Sequence, residues 1–541
     1  MIKTLLISAL FSSPLLAETM VEAVTPAVPV MEHKAQNAIF GLKVEGPCVI
    51  KGLKLDLTGT TSLDDIEALE IYSQDKETPD YRKMKLYHKL TDLNQLSVKK
   101  DLTFGEGTHY LWVSIDIKKS TDISNKFAAK ITELQLADET IQVNASSRMQ
   151  RVGVNVRDTG DDNAKGYRIP GIVTSNKGTL LSIYDTRFDH ARDLQGHMDI
   201  GLSRSTDGGQ TWGPMKSIID MGTYGGLPEK FNGVSDACIL VDKNTGHIFV
   251  AGCWMHGLND NQGNWIKDLD PKSNHHKHQW NGTGSMPGLS PKGTCQFLMV
   301  KSEDDGVTWS KPVNLTEALK KSEWHLFAPA PGRGITMSDG TLVMPTQGRD
   351  ENSKTFSNFI YSKDGGKSWK VSNFAKSDTT ECQIAELSDG SLMLNMRDNR
   401  NYYSKDIPES GRAVHVTKDL GKTWTEHPTS RKTLPEPVCC AGLLKHTFKT
   451  KRDGLPQSIL IFSNPPNKTK KGGRNKITIK VSLDDGMTWP EEYHLLLDTY
   501  KGAYSCLTSV DDDHIGILYE GSRSRICFQK IAIKDLLTKE K

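Results

Sequence analysis

Five short segments of this chain share one pattern, and that repeat constrains the fold more than any other feature of the sequence. The pattern is [Ser/Thr]-x-Asp-x-Gly-x-[Ser/Thr]-Trp, and it is found at residues 205–212, 302–309, 362–369, 417–424 and 482–489. The Asp can accept hydrogen bonds from turn amides, the Gly supplies a positive φ, and the Trp packs inward. Each segment is therefore predicted to be a hairpin turn.

The spacing of the repeats predicts a ring of similar sheets. Successive repeats lie 55 to 97 residues apart, and the sequence between them is rich in short runs typical of strands. A period of this length indicates a β-propeller built from four-stranded blades. Residues 150–541 have room for about six blades. The chain is therefore predicted to be all-β, with a six-bladed propeller over residues 150–541.

The residues ahead of the propeller contain no such repeat. Residues 24–148 carry alternating runs, such as Cys48–Leu57 and Tyr110–Ile117, that predict half-buried strands. We expect a smaller β-sandwich domain here, with a hinge near residues 146–151. Two roles stay open for it, a carbohydrate-binding module or a scaffold that packs on the propeller, and the second is favoured.

The first residues predict export. Lys3 precedes the apolar run Leu5–Leu10, and small residues follow as far as Ala17. This is the pattern of a secretory signal peptide over residues 1–17, and the run is shorter than the ~18 apolar residues that span a membrane. The mature protein is expected to be secreted or periplasmic.

Composition excludes several function classes. The chain has 68 Lys+Arg against 66 Asp+Glu. This near-neutral balance gives no electrostatic field strong enough to indicate nucleic acid or an anionic membrane as the main partner. Several of the nine cysteines lie in apolar runs, where Cys behaves as a small hydrophobe, so mostly free thiols are expected. The adjacent pair Cys439 and Cys440 has no zinc-site spacing, and His275, His276 and His278 lie in a Lys-rich and Asn-rich loop. No metal or cofactor is predicted.

The five repeats resemble the Asp boxes of the bacterial sialidase (neuraminidase) family, in particular the two-domain sialidases of gut commensal bacteria. Asp boxes are structural turns, so they support the fold and say little about chemistry. A second motif, GlyTyrArgIleProGly at 166–171, resembles the family's [Phe/Tyr]-Arg-Ile-Pro motif. The resemblance implies that Arg168 is the first of three arginines that bind the substrate carboxylate, because a planar guanidinium donates two parallel hydrogen bonds to such a group.

The resemblance also implies a general acid. Arg187 follows Arg168 by 19 residues and Asp193 follows Arg187 by six, as the family places its second Arg, which contacts substrate, and its acid/base Asp. An Asp shielded from water can hold its proton near neutral pH and deliver it to the glycosidic oxygen. The competing carboxylates are Asp185, Asp189 and Asp199.

Further matches imply the remaining catalytic groups. Glu381 precedes Arg397 by 16 residues, like the family's catalytic Glu and another Arg of its triad, with Glu386 as the competing carboxylate. The third arginine is implied to be Arg474, and the alternative is a basic loop shared with Lys468, Lys470, Lys471 and Lys476. Tyr504, in GlyAlaTyrSerCysLeu, matches the family's nucleophilic tyrosine, with Tyr500 and Tyr519 as alternatives.

A tyrosine nucleophile has a physical rationale on an anionic sugar. The anomeric carbon of sialic acid carries a carboxylate that would repel an approaching Asp or Glu, whereas a neutral phenol can approach and ionise late. Glu381 would accept its proton. Among secondary contacts, Asp236 resembles the Asp that recognises polar substituents of the sugar. Trp254, Met255 and Gln347 are assigned either to the acetamide pocket or to ordinary packing.

Together these matches imply an exo-α-sialidase that acts by retention on sialylated glycoproteins, mucins, glycolipids and oligosaccharides, without nucleic acid, metal or cofactor. Two alternatives stay open. One keeps the site but transfers the sugar or forms an anhydro product. The other is a propeller that binds sialic acid without catalysis, which would be expected to lack Asp193, Glu381 or Tyr504, and the sequence has all three.

Overall fold

Strands are the main regular secondary structure of the computed structural model, in which residues 20–538 are described except 33, 35, 192, 195, 227, 258–284, 292, 404–409 and 469–471. The predicted signal peptide, His275, His276, His278, Lys470 and Lys471 lie outside the described residues. Within the described ranges the α-helices are short: α1 Thr316–Leu319, α2 Arg400–Tyr403 and α3 Ile533–Leu537. No helix in this part of the chain combines the length and apolar character needed to cross a membrane.

The first part of the chain forms an antiparallel sheet of seven strands. The strands up to residue 142 are β1 Val21–Val24, β2 Val30–Met31, β3 Asn37–Asp56, β4 Ile66–Gln74, β5 Lys85–Leu90, β6 Ser97–Ile117, β7 Lys126–Phe127, β8 Lys130–Leu136 and β9 Thr140–Gln142. The order in the sheet is β5-β4-β6-β3-β8-β9, and β1 adds to β3. The long strands β3 and β6 pair antiparallel, β4 pairs with the second half of β6, and β8 pairs with the second half of β3. Side chains of both groups, such as Ile71 and Leu134, share one core.

The rest of the chain folds into sheets built from successive antiparallel strands. Its first strands are β10 Gln150–Arg157, β11 Gly166–Thr174, β12 Leu180–Arg187, β13 Met198–Ser205, β14 Lys216–Ile219, β15 Asn232–Val241, β16 Ile248–His256, β17 Gln296–Ser302 and β18 Val313–Asn314. The next are β19 Leu326–Pro329, β20 Gly332–Arg333, β21 Ile335–Thr336, β22 Leu342–Arg349, β23 Thr355–Ser362, β24 Lys370–Val371 and β25 Lys376–Ser377. The last are β26 Thr379–Glu386, β27 Leu392–Asp398, β28 Ala413–Thr417, β29 Thr425–Glu426, β30 Gly442–Thr447, β31 Ser458–Asn464, β32 Ile477–Ser482, β33 His494–Asp498, β34 Ser505–Ser509, β35 His514–Tyr519 and β36 Ile526–Ala532.

These strands form propeller-like blades, and the all-β prediction is confirmed. Strands β26–β29 and β30–β33 are four-stranded sheets, and β19 and β21–β25 form a six-stranded sheet. Strands β11–β18 belong, with β20, to one nine-stranded sheet. Two successive groups of four strands merge there because Met198 at the start of β13 pairs with Gly233 of β15. The hydrogen-bonded sheets therefore do not divide into six separate units.

The final sheet joins the two ends of this region. Strands β34, β35 and β36 pair antiparallel, and β36 then pairs with β10, for example Phe528 with Val154. Strands β2 and β7 from the N-terminal part also pair with β10. The strand at the start of the region therefore completes the sheet that is formed at its end.

The five repeats are turns, as predicted. Each lies between the third and fourth strand of its group, and its Asp accepts a hydrogen bond from the hydroxyl four residues later, as Asp207 does from Thr211 at 2.5 Å and Asp484 from Thr488 at 2.6 Å. Since consecutive strands run in opposite directions, these turns lie at one end of the sheets. The starts of β11, β15, β26, β30 and β34 lie at the other end.

Candidate active site

β-Bulges mark the starts of β11, β15 and β26. In each, two residues of the strand face one residue of its neighbour. The bulges contain Ile169, Asp236 and Glu381, and the φ angles of the first two are 61° and 56°. A positive φ is rare for a β-branched residue such as Ile169, and a bulge redirects the side chains around it. The bulges thus place predicted site residues at the end of the sheets opposite the Asp-box turns.

Tyr504 lies at the centre of the site, one residue before β34. Its side chain is only 7% exposed, and its hydroxyl donates a hydrogen bond to Oε1 of Glu381. Arg397 faces the bulge that contains Glu381. Its Nη1 donates to the two carboxylate oxygens of Glu381 at 2.9 and 2.6 Å and to the Tyr504 hydroxyl oxygen at 3.2 Å. The fold therefore brings these three predicted residues into direct contact.

Two further guanidinium groups flank the Tyr504 ring. Cζ of Arg168 lies 5.3 Å from the ring centroid, and Cζ of Arg474 lies 5.4 Å from it. Arg474 also donates from Nη2 to the carbonyl of Val438 at 2.8 Å, so it contacts the site and is not only part of a basic loop. With Arg397, three cations from three sheets surround one phenol, an arrangement that can bind a carboxylate through charge-assisted hydrogen bonds.

The surroundings of Tyr504 and Glu381 set their protonation states. Burial raises the pKa of Tyr504 well above its usual value, and the Glu381 carboxylate adds to the effect, whereas Arg397 and Arg474 oppose it. Burial also disfavours the charge on Glu381, but Arg397, the hydrogen bond from Tyr504 and Arg474 together hold its pKa below the usual range. At neutral pH the phenol is therefore a neutral donor and Glu381 an anionic acceptor. The apolar cluster behind Tyr504 consists of Ile169, Cys439, Cys440 and Ala503.

Glu520 binds Arg168, and no motif in the sequence had assigned it to the site. Glu520 is buried, and it accepts hydrogen bonds from Arg168 Nε at 3.0 Å, Arg168 Nη2 at 3.4 Å and the backbone N–H of Ile169 at 3.1 Å. Its own backbone N–H donates to the Tyr504 carbonyl at 3.0 Å across the β34–β35 hairpin. One signal in the sequence could have identified Glu520: it is a charged residue directly after the apolar strand β35, which follows the strand that begins next to Tyr504.

Asp193 lies beside the arginines, but its environment differs from the prediction. Its side chain is 66% exposed, and Oδ1 accepts hydrogen bonds from Arg187 Nη1 at 2.8 Å and Arg168 Nη1 at 3.2 Å. Desolvation works against the charge on Asp193, but Arg187 and Arg168 outweigh it and hold its pKa below the usual value. The expectation of a shielded, protonated Asp is therefore wrong for this structure.

Arg187 is buried beside Asp193 and donates a hydrogen bond to it. Only 1% of its side chain is exposed. Besides Asp193 it binds Asp185, with Nη2 to Oδ2 at 2.8 Å, and Asp185 in turn accepts a hydrogen bond from Ser235 at 2.6 Å. Arg187 therefore links the exposed Asp193 to the buried Asp185, and its role as a substrate contact stays a prediction.

The secondary contacts divide into two groups. Gln347 donates to Asp236 Oδ2 at 3.1 Å, and burial raises the pKa of Asp236 well above its usual range, helped by nearby Asp185. Trp254 is fully buried in a core cluster, and Met255 is 1% exposed in another cluster with Leu194. Asp236 and Gln347 are therefore hydrogen-bonded to each other, whereas Trp254 and Met255 are packed in the core.

Four of the competing residues are engaged elsewhere, whereas Asp185 binds Arg187. Glu386 accepts hydrogen bonds from Ser338, Asp189 from the backbone of His197, and Asp199 from Ser217. Tyr519 is fully buried in the core. The family matches therefore selected the residues that the fold brings together.

Comparison with known sequences gives consistent matches. A family profile described as "BNR repeat-like domain" matches residues 169–520, and one described as "N-terminal domain of BNR-repeat neuraminidase" matches residues 18–140. The chain is 46% identical to a sialidase of Bacteroides fragilis (strain YCH46), over 82% of this chain and 77% of that protein. It is 30% identical to a sialidase of Clostridium perfringens, over 66% of this chain and 87% of that protein.

Solved structures agree with these matches. The structure named "Hadza microbial sialidase Hz136" superposes with a TM-score of 0.82 at 35% identity, covering 95% of this chain and 99% of that one. The intramolecular trans-sialidase from Ruminococcus gnavus superposes with a TM-score of 0.54 at 21% identity, covering 72% of this chain and 98% of that one. The second likeness concerns the fold alone.

Proposed function

Because the chain belongs to the BNR-repeat neuraminidase family and is a sialidase, we propose that it removes terminal α-linked sialic acid with retention of configuration and uses Tyr504 as the nucleophile. The observation that carries this proposal is the Tyr504 hydroxyl, which donates to an ionised Glu381 and accepts from Arg397, while Arg168 and Arg474 flank its ring. Arg168, Arg397 and Arg474 bind the substrate carboxylate. That contact holds the anomeric carbon, which carries the carboxylate, next to the phenol oxygen.

In the first step the glycosidic bond breaks as the tyrosyl bond forms. Glu381 takes the proton from the Tyr504 hydroxyl, and the phenol oxygen attacks the anomeric carbon. Arg397 and Arg474 stabilise the developing phenolate. Asp193 gives a proton to the departing oxygen of the aglycone, which leaves as an alcohol. The products of this step are the free aglycone and a sialosyl-tyrosine.

Asp193 must gain its proton when substrate binds. In the structure its charge is stabilised by Arg187 and Arg168. A substrate carboxylate would compete for Arg168, and the sugar ring would cover the exposed carboxyl. Both changes disfavour the anion and raise the pKa of Asp193. Substrate binding thus protonates Asp193 and makes it a general acid.

In the second step Asp193, now a carboxylate, takes a proton from water, and the water oxygen attacks the anomeric carbon. The tyrosyl bond breaks, and the phenolate recovers its proton from Glu381. Two inversions return the original configuration, so the first product is the α-anomer of sialic acid.

The test is product analysis by proton NMR on 2,3- and 2,6-linked sialyllactose. We expect α-sialic acid to appear first and to mutarotate later. A first-formed β-anomer would refute retention. A 2,7-anhydro sugar or a sialylated acceptor would refute hydrolysis and indicate one of the alternative activities. After acid quenching, peptide mass spectrometry with a fluorinated sialic acid should place the sugar on the peptide that contains Tyr504. Labelling of a different peptide would refute the nucleophile.

We also propose the finer architecture. The propeller extends over residues 150–541 with six blades, and the nine-stranded sheet counts as two of them. The support is that β11–β14 and β15–β18 are each four strands in sequence, joined by one residue pair. Residues 24–148 form a β-sandwich domain in which the paired long strands β3 and β6 are shared by both layers.

The substrates we propose are sialylated glycoproteins, mucins, glycolipids and oligosaccharides. The three-arginine clamp and the single recessed phenol suit one terminal anionic sugar. We propose that residues 1–17 direct export and are removed, which places the enzyme where such glycans occur. Amino-terminal sequencing of the protein from its native host tests this point, with a start after Ala17 expected and an intact Met1 contradicting it.

A further inference from the structure

Asp498 is a buried carboxylate that the reaction above does not use. It is the last residue of β33, at the end of the sheets where the site lies, and it is fully buried. Its Oδ1 accepts hydrogen bonds from the backbone N–H groups of Tyr500 at 3.1 Å and Lys501 at 3.3 Å. Its Oδ2 accepts from the N–H of Ser522 at 2.8 Å. One carboxylate therefore binds two separate backbone segments.

Both segments lead to residues of the site. Tyr500 and Lys501 begin the connection that ends at Tyr504, and Ser522 lies two residues after Glu520. The two segments also meet directly, because the Glu520 N–H donates to the Tyr504 carbonyl. A displacement at Asp498 would therefore move both the nucleophile and the carboxylate that holds Arg168.

The turn after Glu520 has a second support. Cζ of Arg523 lies 3.9 Å from the centroid of the Tyr81 ring, which belongs to the connection between β4 and β5. A cation over an aromatic face at this distance is an attractive contact. The N-terminal part of the chain thus contacts the turn that Asp498 binds from the propeller side.

We propose that Asp498 is a positioning residue of the sialidase reaction, which acts by fixing the connection that carries Tyr504 and the turn that follows Glu520. The proposal rests on the function proposed above. The ionised carboxylate can accept hydrogen bonds from all three backbone N–H groups. In an amide or a protonated carboxyl, one of the two side-chain positions is a donor, and it would face an N–H group that is also a donor. The positioning therefore requires the charge.

This requirement makes the effect depend on pH. Burial raises the pKa of Asp498 to about 6, although its hydrogen bonds oppose the shift. Above this pH the carboxylate accepts three bonds, and below it one acceptor is lost. Since the pKa in the folded protein exceeds the usual value near 3.9, ionisation destabilises the folded state at neutral pH, and removing the charge should not lower stability. The titratable or charged groups around Asp498 are Tyr81, Tyr500, Lys501, Tyr519, Arg523 and Cys527.

The test compares the wild type with Asp498→Asn and a matched control, Asp242→Asn. Asp242 is also buried and accepts hydrogen bonds from the Asn244 N–H at 2.9 Å and the Thr245 hydroxyl at 2.7 Å, but it follows β15 at the Asp-box end. We measure kcat and KM for an aryl sialoside between about pH 4.5 and 8, and Tm at neutral pH.

At neutral pH, Asp498→Asn should raise KM by about tenfold or more and lower kcat less, with a Tm no lower than wild type. Wild-type kcat/KM should fall toward the variant's value as the pH drops through about 6, and the variant should lack this ionisation. Asp242→Asn should keep the wild-type kcat and KM.

Identical pH profiles for wild type and Asp498→Asn would overturn the proposal, and so would an equal loss in the Asp242→Asn control. If Asp498→Asn does not fold, a measurement on the wild-type protein alone tests the proposal. Its calorimetric affinity for the 2,3-dehydro analogue of sialic acid should weaken below about pH 6, and a flat affinity would overturn the proposal. A wild type that hydrolyses no sialoside would refute the proposed function instead, and the analogue would still test Asp498.

Discussion

Replacing Glu520 by Gln should weaken substrate binding more than it slows the chemical step. The substitution keeps the shape of the side chain and one acceptor oxygen but removes the charge. In the wild type this carboxylate accepts two hydrogen bonds from Arg168 and one from the Ile169 N–H. With Gln, Arg168 loses its ion-pair partner and turns toward Asp193, which already lies 3.2 Å from its Nη1.

The magnitude follows from the contact that is lost. A hydrogen bond to a charged group contributes about 1.5 to 3 kcal/mol, and about 1.4 kcal/mol corresponds to a factor of ten. Gln retains one acceptor, so the loss is one charge-assisted bond, and KM should rise by roughly tenfold to a hundredfold. The Tyr504 and Glu381 pair is untouched, so kcat should change by less than about fivefold.

The assay is steady-state hydrolysis of an aryl sialoside, with calorimetry of the 2,3-dehydro analogue as an independent measure of binding. Glu386→Gln is the matched control, because Glu386 binds Ser338 outside the site. A KM for Glu520→Gln that is unchanged or lower than wild type would refute the reasoning. It would mean that Glu520 competes with the substrate for Arg168 and does not position it.

Further predictions address the proposed roles directly. Tyr504→Phe should lower kcat by about a thousandfold or more while the circular dichroism spectrum stays unchanged, and activity within about tenfold of wild type would contradict the nucleophile. Asp193→Ala should lose far more activity on sialyllactose than on an activated aryl sialoside, and equal losses would exclude Asp193 as the acid. Arg397→Lys should weaken binding of sialic acid by about tenfold to a hundredfold in calorimetry, and wild-type protein should not bind the methyl ester, whose binding would argue against a carboxylate clamp. Because the pKa of Glu381 is lowered in the folded protein, its contribution to the free energy of unfolding should be present above the usual Glu pKa near 4.3 and lost as the pH falls below it, which acid titration of wild type and Glu381→Gln would show.

The fold was predictable where local chemistry fixes it. The Asp-box turns follow from side chains that lie four residues apart, such as Asp207 and Thr211, so the sequence alone contains the whole interaction. The merging of two groups of strands through Met198 and Gly233 depends on how neighbouring sheets approach, and no local pattern encodes it.

The site was predictable as a set of residues but not as a set of protonation states. Motif spacing identified Tyr504, Glu381 and Arg397, which the fold brings together. The ionisation of Asp193 depends on Arg168 and Arg187, and Arg187 is itself buried and paired with Asp185. These are three-dimensional properties, because they arise from distances and burial that motif spacing does not contain.

The pairing of β10 with β36 has a consequence for the order of assembly. The sheet that carries Tyr504 and Glu520 is completed by a strand from the opposite end of the propeller region, with Val154 beside Phe528. A contact so distant along the chain forms late, since the intervening loop must first be closed at an entropic cost. The nucleophile therefore reaches its place only when nearly the whole chain is present. We expect a chain interrupted before β36 to form Asp-box turns and individual sheets but to be inactive.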